Sequence, residues 1–111
     1  MIIDFNDIEE KTVPHFKGGE KEYHVRTYLD NENRIMRGVL KPGASIGYHK
    51  HELNSEVMYI ISGKGHVLYD QGEEDVAAGQ VTYCPKGHSH SLVNNGDEDL
   101  VFLGIVGEHH D

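Results

Sequence analysis

Residues 49–72 read HKHELNSEVMYIISGKGHVLYDQG, and the fold turns on how this stretch divides. His49 and His51 stand two apart, the spacing that puts both side chains on one face of a strand. Glu52 to Ser55 make a short polar excursion, and then Glu56-Val57-Met58-Tyr59-Ile60-Ile61 is apolar on both faces after its first residue. A strand that fails to alternate is covered on both sides, so this one reads as a buried element. Gly63-Lys64-Gly65 reads as a tight hairpin, His66–Asp70 as the next strand and Gln71-Gly72 as another turn.

The same punctuation continues outward in both directions. The pattern predicts strands over Tyr23–Leu29, Arg34–Leu40, Ser45–His49, Glu56–Ile61, His66–Asp70, Asp75–Ala77, Gln80–Cys84, Ser89–Asn94 and Leu100–Val106. Pro42-Gly43 suits a type II turn and Asn95-Gly96 a primed hairpin turn. Many short strands with turn signals every ten or so residues make an all-β sandwich or barrel. No internal segment keeps a helical period, and a short helical turn around Asn6–Lys11 is the only helix expected. Residues 1–20 read as an arm, 21–106 as the barrel domain, and Gly107–Asp111 as a frayed tail.

Composition narrows the function classes. A chain of 111 residues allows a single compact domain. Ten Lys and Arg against nineteen Asp and Glu give a net charge of −9, which argues against a nucleic-acid surface and against a polybasic membrane patch. The longest apolar run, Val57–Ile61, is far too short to cross a bilayer. Met1-Ile2-Ile3-Asp4 has no basic, apolar leader pattern, and a lone Cys84 cannot form an intrachain disulfide; both fit a cytoplasmic protein. The doubly apolar strand needs a cover on its second face: another sheet, the N-terminal arm or a second subunit. A homodimer is therefore expected.

Nine histidines are the compositional outlier. An isolated histidine carries no geometric information, so His15, His24 and His66 are set aside, and His109 and His110 fall in the solvated tail. His49 and His51 differ because of their shared face. If the chain returns as a hairpin, Glu56 opens the next strand toward the same cavity, and His90 begins a third strand after the Pro85-Lys86-Gly87 turn. Three neutral imidazoles and one carboxylate form a donor set suited to one divalent transition metal ion such as Mn²⁺, Fe²⁺, Ni²⁺ or Zn²⁺. Tyr48 and Lys50 face away on a regular strand. Cys84, directly before Pro85, is structural rather than nucleophilic.

The spacings Gly43-x₅-His49-x-His51-x₄-Glu56-x₆-Gly63 and Gly79-x₅-Pro85-x-Gly87-x₂-His90-x₃-Asn94 match the two motifs of the cupin superfamily at all ten specified positions. The chain thus resembles a small single-domain bacterial-type cupin. That resemblance implies a double-stranded β-helix, or jelly-roll barrel, with His49, His51, Glu56 and His90 as metal ligands. Gly43, Gly63, Gly79 and Gly87 become turn positions where positive φ is expected, and Asn94 a hydrogen-bonding post of the barrel. His88 is an extra histidine near the site, with a supporting role favoured over ligation.

A divalent ion with three imidazoles and one carboxylate carries about +1, which attracts a small oxygenated or anionic ligand. Strand parity nominates Met58 and Ile60 beside Glu56, and Leu92 beside His90, as cavity walls; simple core packing is the alternative. Arg34 or Arg37 offers a cation to such a ligand. Two functions stay open. One is a metal-dependent oxygenase, decarboxylase or isomerase; the other is a non-catalytic metallocupin that binds or senses a small molecule. Oxalate-cleaving cupins typically carry an arginine three residues before the first ligand histidine, where this chain has Ile46.

Overall fold

The computed structural model of the protein describes residues 1–109. Among the described residues, ten strands form two antiparallel sheets: β1 (Lys11–Pro14), β2 (Glu22–Leu29), β3 (Asn33–Leu40), β4 (Ser45–Lys50), β5 (Asn54–Ser62), β6 (Lys64–Tyr69), β7 (Gly72–Ala77), β8 (Val81–Cys84), β9 (Ser89–Val93) and β10 (Leu100–Glu108). The larger sheet has the order β1-β2-β3-β10-β5-β8 and the smaller β4-β9-β6-β7. A single core draws Tyr23, Met36, Met58, Ile60 and Phe102 from the first sheet and Ile46, Val67 and Leu92 from the second. This is the jelly-roll arrangement of an all-β barrel. Among the described residues, no helix is long and apolar enough to cross a membrane.

Alternation explains how β5 serves the core despite being apolar throughout. Met58 and Ile60 are 1% and 0% exposed, whereas Val57, Tyr59 and Ile61 point outward at 36%, 44% and 46%. The second sheet meets only the inner face. The N-terminal arm lies elsewhere, over β2, where Arg26 Nη1 donates to the carbonyls of Phe5 and Ile8 at 3.2 and 2.7 Å. The outer face of β5 stays open.

Several connections differ from the sequence pattern. Gly63-Lys64-Gly65 is not a hairpin: β5 belongs to the large sheet and β6 to the small one, so the chain changes sheets there. Gly63 adopts φ +86, and a Cβ added to it would lie 2.4 Å from the Asp99 carbonyl oxygen. The bend therefore requires glycine for both conformation and space. Likewise β4 and β5 do not pair, and Asn95-Gly96 joins strands of different sheets rather than a hairpin. Asn94, fully buried, holds that crossing by donating to the Leu40 and Glu98 carbonyls and accepting the Gly96 N–H. The Pro42-Gly43 turn forms as expected, closed by Ala44 N–H to Lys41 O, and Gly43, Gly63, Gly79 and Gly87 all have positive φ.

The arm is more ordered than its sequence suggests. Asp4 accepts the Asn6 N–H and caps a 3₁₀ turn at Phe5–Asp7, which overlaps only the start of the Asn6–Lys11 segment read as helical. Lys11–Pro14 then adds β1 to the edge of the large sheet, with Pro14 on its last residue, a place where a missing N–H is tolerated. A second 3₁₀ turn, Phe16–Gly18, packs on β4. At the other end β10 runs on to Glu108, into the segment read as a tail. His109 is exposed, and His110 lies outside the described residues.

Candidate metal centre

Both sheets contribute to one cluster at an end of the barrel. His49 on β4 is paired in register with His90 on β9. A register shift between Ile46 and His49 bulges β4 just before the ligands. His51 lies one residue past β4, and its backbone is tied to the second motif by bonds with the His88 carbonyl and the Gly87 N–H. Glu56 reaches the group from β5 of the opposite sheet. The ligand atoms of His49, His51, Glu56 and His90 all lie within 4.8 Å of one another. Three of these side chains are almost wholly buried, and His49 is half-buried.

The hydrogen bonds decide which ring nitrogens are bare. His49 Nδ1 lies 2.7 Å from the Gly47 carbonyl oxygen, which can only accept, so Nδ1 carries the proton. His51 Nδ1 lies 2.5 Å from Asn54 Oδ1. The orientation of that amide is fixed because Asn54 Nδ2 donates to Glu108, so Oδ1 faces His51 and again accepts. Both neutral rings therefore aim an unprotonated Nε2 inward, 3.2 Å apart, with His90 Nε2 3.0 Å from that of His51. Facing lone pairs at that distance repel unless a cation lies between them. Metal–nitrogen bonds of about 2.1 Å at right angles place their nitrogens roughly 3 Å apart, which matches the observed spacing. The donor set fits one metal ion.

Charge at the site follows the same geometry. Glu56 Oε1 lies 3.2 Å from His51 Nε2 and 2.9 Å from His90 Nε2. Burial works against its charge, but in the metal-free protein these two imidazoles, when protonated at Nε2 and donating to it, outweigh burial and hold its carboxyl down at about 2. The Glu56 carboxylate raises His51 in return. Desolvation lowers His49. The Nδ1 atom of His90 is buried with no partner among the described residues.

A cavity of about 470 Å³ adjoins the cluster, lined by His49, His51 and Glu56 together with Phe16, Tyr23, Arg34, Met36, Ile46 and Val106. The sequence-nominated walls Met58, Ile60 and Leu92 do not line it; they are packed in the core at 1%, 0% and 0% exposure. Parity found the correct face but not the direction along it. From Glu56, β5 runs through Met58 to Ile60 into the filled core, whereas the cavity lies toward Asn54. Lys50, expected to face away, reaches the rim, while Tyr48 does turn outward to Asp70.

His88 is likewise outside the cavity. It is half exposed and binds Asp70 through Nδ1 at 2.9 Å, on the outer surface. Arg34 shares the inward parity of Met36 and lines the cavity, whereas Arg37 lies opposite Arg26 on the outer face. Cys84 is buried, donates to the His88 carbonyl, and is pushed up to about 11 by burial and by the Glu56 and Asp70 charges, which suits a packing role. His15, His24 and His66 pair locally with Gly19, Thr12 and the acids Asp75 and Glu73, away from the cluster. Phe16 and Lys17 escaped the sequence reading because they lie in the arm, outside both motifs.

The cupin domain family matches residues 36–106. The chain is a cupin. The oxalate-binding protein of Thermotoga maritima is 34% identical to this cupin over 96% of the chain and 93% of its own length. A crystal structure of a Thermotoga maritima protein described as a predicted oxalate decarboxylase superposes with a TM-score of 0.91 at 30% identity, covering 97% of this chain and 99% of that one. The polyketide cyclase RemF of Streptomyces resistomycificus shares the fold at a TM-score of 0.78 and 23% identity, over 96% of this cupin and 78% of that chain.

Proposed function

We propose that this cupin holds one divalent transition metal ion on His49, His51, Glu56 and His90 and binds a small carboxylate anion there. The observation that carries the reading is the convergence of unprotonated imidazole nitrogens and an ionised carboxylate beside a cavity. A bound metal would supply a local charge of about +1 and open coordination positions for an oxygen ligand. The protein's part is orientation. The Gly47 carbonyl and Asn54 fix the tautomers of His49 and His51. Phe16, Tyr23, Met36, Ile46 and Val106 give the cavity a water-excluding wall. The name of the oxalate-binding relative supports a small dicarboxylate as the ligand class.

Turnover is the second reading, favoured by the relative described as a predicted oxalate decarboxylase. It would make this cupin a metal-dependent enzyme of the decarboxylase class. Binding is preferred because Ile46 occupies the arginine position of oxalate-cleaving cupins. Besides Glu56, the only carboxylate among the described lining residues is the exposed Glu52. Calorimetric titration of metal-loaded protein with oxalate tests the binding reading. Saturable binding that vanishes after chelator treatment is expected, and no binding by the loaded protein would contradict it. Steady CO₂ release from oxalate would move the assignment to the second reading.

We also propose that two copies associate through the outer face of the large sheet. Val57, Tyr59 and Ile61 on β5 and Val81 and Tyr83 on edge strand β8 are exposed side by side in a strongly acidic chain, and none of them carries a charge. The arm covers β2 instead, which leaves this patch for a second subunit. Light scattering should give a dimer mass that Tyr59→Glu reduces to a monomer; a monomeric wild type at micromolar concentration would remove the proposal.

A further inference from the structure

Three cations line the cavity beside the cluster: exposed Lys50 sits at its rim, while Lys17 and Arg34 reach it from other elements, and none is needed to hold the metal. Arg34 stands on β3 and lines the cavity; among the described residues it forms no ion pair and no side-chain hydrogen bond. Lys17 reaches the cavity from the 3₁₀ turn Phe16–Gly18, with its ammonium 5.6 Å from the Phe16 ring centre.

The backbone carrying Lys17 is built at some cost. His15, Lys17 and Lys21 have φ of 51°, 55° and 56°, three non-glycine residues in the left-handed region within seven positions. Such conformations persist only where surrounding contacts enforce them, and they concentrate at ligand clamps. Here the enforcing contact is visible. A Cβ on Gly47 would lie 1.9 Å from the Lys17 carbonyl oxygen, and one on Gly19 would lie 2.1 Å from the Ser45 carbonyl oxygen. The turn is thus pressed onto the strand that carries His49, with Lys17 at the cavity.

The cavity is also larger than oxalate requires. About 470 Å³ falls in the range that takes an organic ligand with a carbon body, and its wall of Phe16, Tyr23, Met36, Ile46 and Val106 is suited to pack one. We propose that the ligand is an organic dicarboxylate longer than oxalate, with one end on the metal, its carbon body on the apolar wall and its remote carboxylate gripped by Lys17 and Arg34. This inference rests on the reading of the cluster as a metal centre that binds carboxylates.

The test compares 2-hydroxyglutarate with 2-hydroxyvalerate on the metal-loaded full chain. The two probes present the same chelating end and differ only in the remote carboxylate. Wild type should prefer the diacid at least tenfold by calorimetry. Lys17→Asn, which removes the cation but tolerates left-handed backbone, and Arg34→Gln should each lower that preference severalfold. The double variant should bring it close to one, with affinity for 2-hydroxyvalerate, metal content and thermal midpoint unchanged. Equal affinities in wild type, or a preference that survives the double variant, overturns the clamp and leaves the metal-centre reading intact. Failure of metal-loaded wild type to bind oxalate or either probe overturns both.

Discussion

Replacing Glu56 with glutamine keeps the shape of the cluster and removes its one anionic donor. In metal-free protein the carboxylate is 6% exposed and lies 2.9 and 3.2 Å from two imidazole nitrogens. Burial opposes its charge, but His51 and His90 prevail and bring the carboxyl from an ordinary 4.5 to about 2. That displacement is equivalent to about 3 kcal/mol of folded-state preference for the ionised form.

The sign of the effect depends on pH. A depressed carboxyl contributes stability that is complete above its unfolded value of 4.5 and lost as pH falls through about 2. His51, raised above 6.5 chiefly by its bond to Glu56, contributes stability that is complete below 6.5 and lost as pH rises through its folded value. The two conditions overlap between about pH 5 and 6. There, chelator-treated Glu56→Gln should be less stable than chelator-treated wild type by about 3 kcal/mol, and the difference should shrink at pH 2.5 and again at alkaline pH. Urea denaturation of both proteins at pH 2.5, 5.5 and 9 reads this directly. A difference that stays constant across pH, or a variant more stable at pH 5.5, would refute the reasoning.

Further outcomes follow from the same geometry. His51→Ala should lose most metal affinity while circular dichroism reports an intact β-fold, since the core rests on Phe102, Met58, Ile60 and Leu92 rather than on the ion; elemental analysis and a spectrum of the metal-free variant check both halves. Metal affinity of wild type should fall as pH drops below about 6, because a proton competes for the same lone pairs; competition titrations across pH measure it. Gly47→Ala must displace either the Phe16–Gly18 turn or β4 and should lower stability by about 1–3 kcal/mol by urea denaturation.

The sequence carried the strand ladder well, because glycine and proline punctuation marks where the chain turns regardless of which sheet follows. It did not carry sheet membership. Gly63-Lys64-Gly65 and Asn95-Gly96 have hairpin chemistry, yet both sit where the chain passes between sheets, a decision made by long-range packing of β5, β6, β9 and β10. The four donors were legible because period-two spacing and motif spacing are local. The cavity was not, because it forms where the arm meets the barrel. Lys-Thr-Val-Pro gives little strand signal on its own, and Lys17 comes to the site only because glycines at 19 and 47 let two backbones touch. Met58, Ile60 and Leu92 show the limit of parity: it identifies a face but not which end of that face is open.

Anomalous scattering from crystals of metal-loaded protein is the most direct examination of the cluster. One strong peak per chain is predicted, within bonding reach of Nε2 of His49, His51 and His90 and of the Glu56 carboxylate. An empty position there, or a peak held instead by the surface group of His66, Glu73 and Asp75, would contradict it.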